Sequence, residues 1–266
     1  MLAPDGKGAA HDPPDGGDGK HAKEHELGHV GDPANPVGHL LPGVAGRGAW
    51  TQAAIRQRAS YPGASAIIGK GPTGGTRMPT LPNVIETRRL TLRPWNEGDA
   101  AKLYRYAKDP EVGPAAGWPA HASAEESRQI IRDVLSTRGT YAIVLKETGF
   151  PAGSIGVMSP RMHHADVQSG DRELGFLIGK PYWGRGLIPE AVGALLGQCF
   201  ADPACHAVWC GYYEGNEKSR RCQEKCGFAF HHIEPNNPVE LLDEVRTEVF
   251  MRQTREQWLA RRGRRG

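Results

Sequence analysis

From about residue 84 onward, apolar and polar positions fall into short regular blocks, which the preceding stretch lacks. Residues 85–95 alternate, with Leu90 and Leu92 set against Arg89, Thr91 and Arg93, and predict a strand. Residues 99–107 predict a helix. Ser123-Ala-Glu-Glu126 is a capping box, and Ile130, Ile131, Val134 and Leu135 behind it share one helical face. Residues 141–146 and 152–158 read as two strands turning at Thr148-Gly149. Residues 172–179 form a mainly apolar strand, hence a central one. Residues 187–200 carry Ile188, Ala191, Val192, Leu195 and Cys199 at helical spacing. A strand over 206–213, a helix over 216–226 closed by Gly227, and a strand over 228–233 follow, and 246–252 can add a last strand. The order is β, two helices, a meander, then β-α-β-α-β. The fold class this predicts is α+β, a sheet with helices on its faces, without internal repeats.

Composition separates the two ends of the chain. Residues 1–84 hold about 16 of the 35 glycines and about 10 of the 21 prolines. Such a segment offers too little periodic apolar surface to offset its ordering entropy, so 1–82 is expected to be a mostly disordered tail before a domain over 83–256. The net charge of +3 marks no strong nucleic-acid binder. No apolar run approaches the roughly 18–20 residues of a membrane span, and the N-terminus lacks the layout of a signal peptide. The five cysteines all lie between Cys199 and Cys226, an odd cluster that reads as reduced thiols. A cytoplasmic protein is expected.

Candidate chemistry gathers where the strand over 172–179 runs into the next helix, through Gly179-Lys-Pro-Tyr-Trp-Gly-Arg-Gly-Leu187. Two glycines just before a helix let backbone N–H groups converge on one spot. The helix N-terminus adds partial positive charge, and Arg185 a full one. This is either a pyrophosphate cradle or a plain tight turn. Downstream, Asn216 is placed to cap a helix on which Ser219, Cys222, Gln223 and Cys226 share a stripe. Ser219 is then either a second capping hydroxyl or a donor facing the interior.

The run Glu173-Leu-Gly-Phe176, then Tyr182-Trp-Gly-Arg-Gly-Leu187, Pro189-Glu-Ala191, Asn216-x-x-Ser219 and Lys225-Cys-Gly-Phe228 resembles the GNAT superfamily of acyl-CoA N-acyltransferases, and within it the branch of ribosomal-protein N-terminal acetyltransferases. The similarity spans about 84–254, including Glu86-Thr-Arg-Arg-Leu-Thr-Leu-Arg-Pro94. One departure is Pro181, where the wider superfamily favours Gln or Arg. The resemblance implies a mixed, mostly antiparallel sheet with helices on both faces and a splayed central strand pair. It implies acetyl-CoA as acyl donor, its pantetheine paired with backbone around Phe176, Leu177 and Ile178, and its pyrophosphate held by Trp183, Gly184, Arg185, Gly186 and Leu187. It implies that Asn216 touches the pantetheine and that Ser219 sits near the thioester sulfur. Glu173, with Asp171 behind it, is the candidate base, or else a partner in an ion pair. The reaction expected is direct attack of an amine in a ternary complex; a site with a single candidate base favours a protein N-terminal α-amine, which is partly neutral at pH 7, with a small-molecule amine as the other acceptor.

In such a fold the Gly/Pro-rich loop over 113–121 walls the acceptor site, making Trp118 and His121 candidates for substrate contact. Trp183, Trp209, Tyr212 and Tyr213 either line the cleft or pack. His163-His164 and His231-His232 read as exposed loop and strand-edge residues. A competing motif, His25-Glu26-Leu-Gly-His29, has the spacing of a zinc-protease helix. Its flanks carry no apolar face, and Asn35 stands where a third histidine would help, so only incidental metal binding with His21 is expected. The cysteines lack CxxC spacing, and no metal is expected in the site. The basic tail over 257–266, with four arginines in 261–266, suits phosphate contacts and would bring the enzyme to a ribosome or RNA.

Overall fold

The computed structural model describes residues 81–162 and 164–264. The expected tail over 1–82, with its His25–His29 motif, lies almost wholly outside the described residues. Among the described residues eight strands, numbered in chain order, form one sheet in the order β1-β2-β3-β4-β5-β6-β8-β7. They are β1 (Ile85–Glu86), β2 (Leu90–Arg93), β3 (Thr140–Leu145), β4 (Phe150–Met158), β5 (Arg172–Ile178), β6 (Ala207–Tyr213), β7 (Ala229–Val239) and β8 (Glu244–Thr254). All neighbours run antiparallel except β5 and β6. The helices are α1 (Ala100–Ala107), α2 (Ala124–Ile130), α3 (Leu187–Ala201), α4 (Glu217–Cys226) and α5 (Arg255–Gly263).

Alternation along the strands divides the core in two. Ile143, Ile155 and Leu174 face α3, where Leu187, Ala191, Val192 and Leu195 are fully buried. Ala142, Val144 and Leu177 face the other way, against Leu103 and Ala107 of α1 and Ile131 beyond α2. Helices thus cover both faces, and the α+β expectation holds.

Several local expectations change. The strand expected over 85–95 is a hairpin, because Thr87 folds back on Leu90, its amide donating to the Leu90 carbonyl at 2.9 Å and its Oγ1 accepting the Leu90 amide at 3.0 Å. Ser123 caps α2 as expected, but the helix passes into a π turn over Ile131–Leu135. The strands expected over 228–233 and 246–252 are each longer. The basic run expected as a tail begins on α5, whose Trp258 stacks on Phe200 and whose Arg261 donates to the Lys225 carbonyl at the end of α4.

Candidate active site

The parallel pair is zipped only at its start, where Arg172 is paired with Val208 and Glu173 with Trp209. Asp171 fastens that end. Its buried carboxylate accepts the Ala207 amide and the Trp209 Nε1–H, both at 2.9 Å. Beyond Glu173 the strands diverge, so the edge of β5 facing β6 carries backbone groups with no strand partner. An extended amide chain can pair with such an edge. The opening is a cleft of about 1320 Å³, walled by β5, β6, the start of α3, the first turns of α4 and the Pro114–Ala116 turn.

At one end of the cleft lies the loop before α3. Gly184 and Gly186 have φ of +74° and +70°, and Gly186 is the N-cap. This left-handed backbone turns the chain sharply, and the first-turn amides of α3 lack intrahelical partners, so they are free for an anion. The loop is anchored from β2. Arg89 donates through Nη1 and Nη2 to the carbonyls of Arg185 and Gly186 at 2.9 and 3.0 Å. Glu190 of α3 accepts Arg89 Nε at 2.6 Å, the Arg89 amide at 2.7 Å and the Thr87 hydroxyl at 2.7 Å. Trp183 donates Nε1–H to the Ile178 carbonyl at 2.8 Å, and the Lys218 ammonium of α4 lies 3.8 Å from its ring centroid, across the cleft.

Where the strands part, three charged groups meet. Arg161 donates to both oxygens of Glu173, from its amide at 2.8 Å and from Nε at 2.7 Å, and reaches Glu248 of β8 at 3.0 Å. Glu173 is buried with both oxygens engaged. Burial, with the neighbouring Glu173 adding to it, pushes the Glu248 carboxyl above the ordinary carboxylate value. Gly211 leaves room for it, since a Cβ there would stand 2.3 Å from Glu248 Oε1. On the α4 side, Asn216 accepts the Ser219 amide at 3.1 Å and donates to the Ala115 carbonyl at 3.2 Å. Buried Gln223 donates Nε2–H to the Gly211 carbonyl at 3.0 Å and to Ser219 Oγ at 3.1 Å. A carbonyl can only accept, so the amide orientation is set and the Ser219 proton is left free to point elsewhere.

Residues 89–229, more than half of the chain, match the family described as "Acetyltransferase (GNAT) domain". The chain belongs to the GNAT acetyltransferases. A curated relative from Bacillus licheniformis, "Uncharacterized N-acetyltransferase p20", is 32% identical over 123 residues, which cover 44% of this chain and 66% of that protein, just short of two thirds. A GCN5-related N-acetyltransferase from Brucella melitensis superposes with a TM-score of 0.58 at 20% identity, covering 71% of this chain and 86% of that one. The aminoglycoside acetyltransferase AAC(6')-Ib, solved with coenzyme A, gives 0.51 at 23% identity, covering 65% and 99%. Likeness at these identities is likeness of fold. The family match places an acyl-CoA-dependent N-acetyltransferase domain in this chain.

In this GNAT domain, Glu173, Phe176, Leu177, Ile178, Trp183, Gly184, Gly186, Leu187, Asn216 and Ser219 all border the one cleft, with Tyr212 and Tyr213. Arg185 does not; its guanidinium sits 5.8 Å from the Tyr182 ring centroid. Trp209 is fully buried. Trp118 and His121, read as acceptor contacts, do not line the cleft either. They pack on each other at 4.9 Å, and Trp118 lies against Gly113. His121 is buried, its Nδ1 is 2.8 Å from Ser127 Oγ, and burial lowers its pKa to about 4. The loop over 113–121 therefore presents Pro114, Ala115 and Ala116 to the cleft and turns its aromatic side inward. Sequence reasoning missed Arg161, Glu248 and the Thr87–Arg89–Glu190 clamp, and placed Gln223 on the Ser219 stripe without its hydrogen bond to that hydroxyl. Glu190 was visible in the motif, but nothing local to it indicates Arg89 as its partner. Among the described residues no helix is long and apolar enough to cross a membrane.

Proposed function

We propose that this GNAT enzyme transfers the acetyl group of acetyl-CoA to a primary amine by direct attack in a ternary complex, with a protein N-terminal α-amine as the favoured acceptor. The observation that carries this reading is the splayed β5–β6 pair. Its unpaired β5 edge ends at the glycine-capped start of α3, and Glu173, Glu248 and Ser219 all line the cleft between the strands. The pantetheine then runs along Phe176–Ile178, with the pyrophosphate at Trp183–Leu187 and Asn216 beside the arm.

The amine nitrogen attacks the thioester carbonyl, the C–S bond breaks, and the nitrogen loses a proton. Glu248 suits that proton better than Glu173, because burial raises its pKa and its two oxygens are held only at 3.0 Å by Arg161 and 3.3 Å by Asn237, whereas Arg161 grips both Glu173 oxygens at 2.6–2.8 Å. Glu173, through Arg161, positions it. The Ser219 hydroxyl, held as an acceptor by Gln223, donates to the departing thiolate. At pH 7 roughly 10% of an α-amine is already neutral, against well under 0.1% of a lysine side chain, so one buried carboxylate suffices for the former.

A thiol-release assay over peptides with free and blocked N-termini, lysine-containing peptides and small polyamines tests this. Turnover should follow the free α-amine. Equal turnover of blocked peptides through lysine, or turnover of small amines alone, would refute the acceptor assignment.

A further inference from the structure

Three histidines read as exposed loop and strand-edge residues, His164, His231 and His232, converge. His164, from the loop between β4 and β5, and His231 and His232, from β7, bring one ring nitrogen each to within 4.8 Å of one another. Two consecutive residues of a regular strand point to opposite faces. Here the β7–β8 register shifts between Phe230 and His232, and the bulge inserts His231 as an extra residue. Both rings then fall on the same face. His232 stacks on Phe250 at 5.0 Å, His231 meets Trp209 edge-on at 4.7 Å, and His164 lies 4.4 and 4.9 Å from the other two rings.

Their hydrogen bonds leave a specific gap. His231 Nε2 is 3.0 Å from Asp166 Oδ2, and His232 Nε2 is 3.3 Å from Glu234 Oε1. Carboxylates accept, so each Nε2 carries its ring's proton and each Nδ1 turns a lone pair outward. Those two Nδ1 atoms face each other at 2.9 Å. Two opposed lone pairs call for a positive charge between them. The separation is close to the ~3.3 Å that two metal–nitrogen bonds of ~2.0–2.1 Å subtend at a tetrahedral ion. Imidazoles whose far nitrogens are held by carboxylates are the usual surroundings of such an ion.

We propose that His164, His231 and His232 form a binding site for a zinc-class divalent transition-metal ion, with Asp166 and Glu234 as outer partners and a fourth position open to water. His164 Nδ1 accepts the Asp166 amide at 3.2 Å, so the same loop residue braces two of the three rings. Three neutral imidazoles suit zinc, cobalt(II), nickel and copper(II), and disfavour magnesium and calcium. The ion would tie the β4–β5 loop, and with it Arg161, to β7. The His231 and His232 side chains are 16% and 15% exposed, enough for an ion to enter.

The full chain, stripped with chelator, is titrated with zinc chloride and separately with cobalt(II). Because His21, His25 and His29 can also take up metal, a His25→Ala/His29→Ala chain is carried in parallel. One tight equivalent should persist in that chain, with the visible bands of low-coordinate cobalt. His232→Asn should weaken it at least 100-fold, and Asp166→Asn, an exposed loop change that leaves the core intact, about 10- to 100-fold. Zinc should raise the melting temperature of the parent and not of His232→Asn. If the His25→Ala/His29→Ala chain takes up no zinc at micromolar concentration, a shared proton fills the gap and the proposal fails. It fails equally if uptake is unchanged in both His232→Asn and Asp166→Asn.

Discussion

His121 offers a test in which the structure sets both sign and size. Its imidazole is buried against Trp118 and Ser127, and burial lowers its pKa from 6.5 to about 4. The folded state therefore binds this proton more weakly than the unfolded chain. The associated stability is fully present above pH 6.5 and is lost as the pH falls through 6.5 towards 4. Moving one imidazole from 6.5 to about 4 is worth about 3.4 kcal/mol in full, of which roughly 2 kcal/mol has gone by pH 5. Replacing His121 by Asn keeps a polar partner for Ser127 and removes the titration. Urea unfolding of both proteins at pH 7.5 and pH 5 should then show the parent losing about 2 kcal/mol more than His121→Asn, or roughly 4–8 °C in Tm for a domain of this size. Parallel losses would mean that His121 is hydrated, and that the loop over 113–121 turns its aromatic side outward after all. A rise in acceptor KM or a fall in kcat confined to His121→Asn, with unchanged stability, would restore the reading of His121 as a substrate contact.

Ser219→Ala should lower kcat about 10- to 100-fold with acetyl-CoA affinity intact, since the contact forms with the departing thiolate; Gln223→Leu should lower kcat by less and only through Ser219, so the double variant should be no worse than Ser219→Ala in single-turnover assays. Gly186→Val forces a β-branched residue to φ near +70°, and calorimetry on the folded variant should show at least tenfold weaker acetyl-CoA binding, unchanged affinity removing the loop from the phosphate site. Glu248→Gln should depress the rate near neutral pH and regain part of it as rising pH deprotonates the amine; Glu173→Gln should chiefly reduce stability, by leaving Arg161 short of a buried partner, and a pH–rate profile in which Glu173→Gln alone shows the recovery would reverse the two roles.

What the sequence determined by itself is whatever depends on neighbours along the chain. The apolar spacing of α3, the Ser123 and Asn216 caps and the glycine turn before α3 are local, because a helix face, a cap or a left-handed turn is set within a few residues. The residues that border the cleft were legible for that reason, and through a family resemblance carried by contiguous motifs. Tertiary structure decided whatever depends on which strands become neighbours. Glu190 meets Thr87 across 103 positions, and Arg161 meets Glu248 across 87. No period in the sequence encodes such pairings, so Glu173 could be marked as acidic and central without revealing that Arg161 holds it. Burial is likewise a property of the whole. Trp118 and His121 looked like a wall of the acceptor site because a Gly/Pro loop has no periodicity to show which side faces in. The histidines of β7 depended on one inserted residue. In a regular strand His231 and His232 would be separated by the sheet, and a bulge of a single position brings their nitrogens within 2.9 Å.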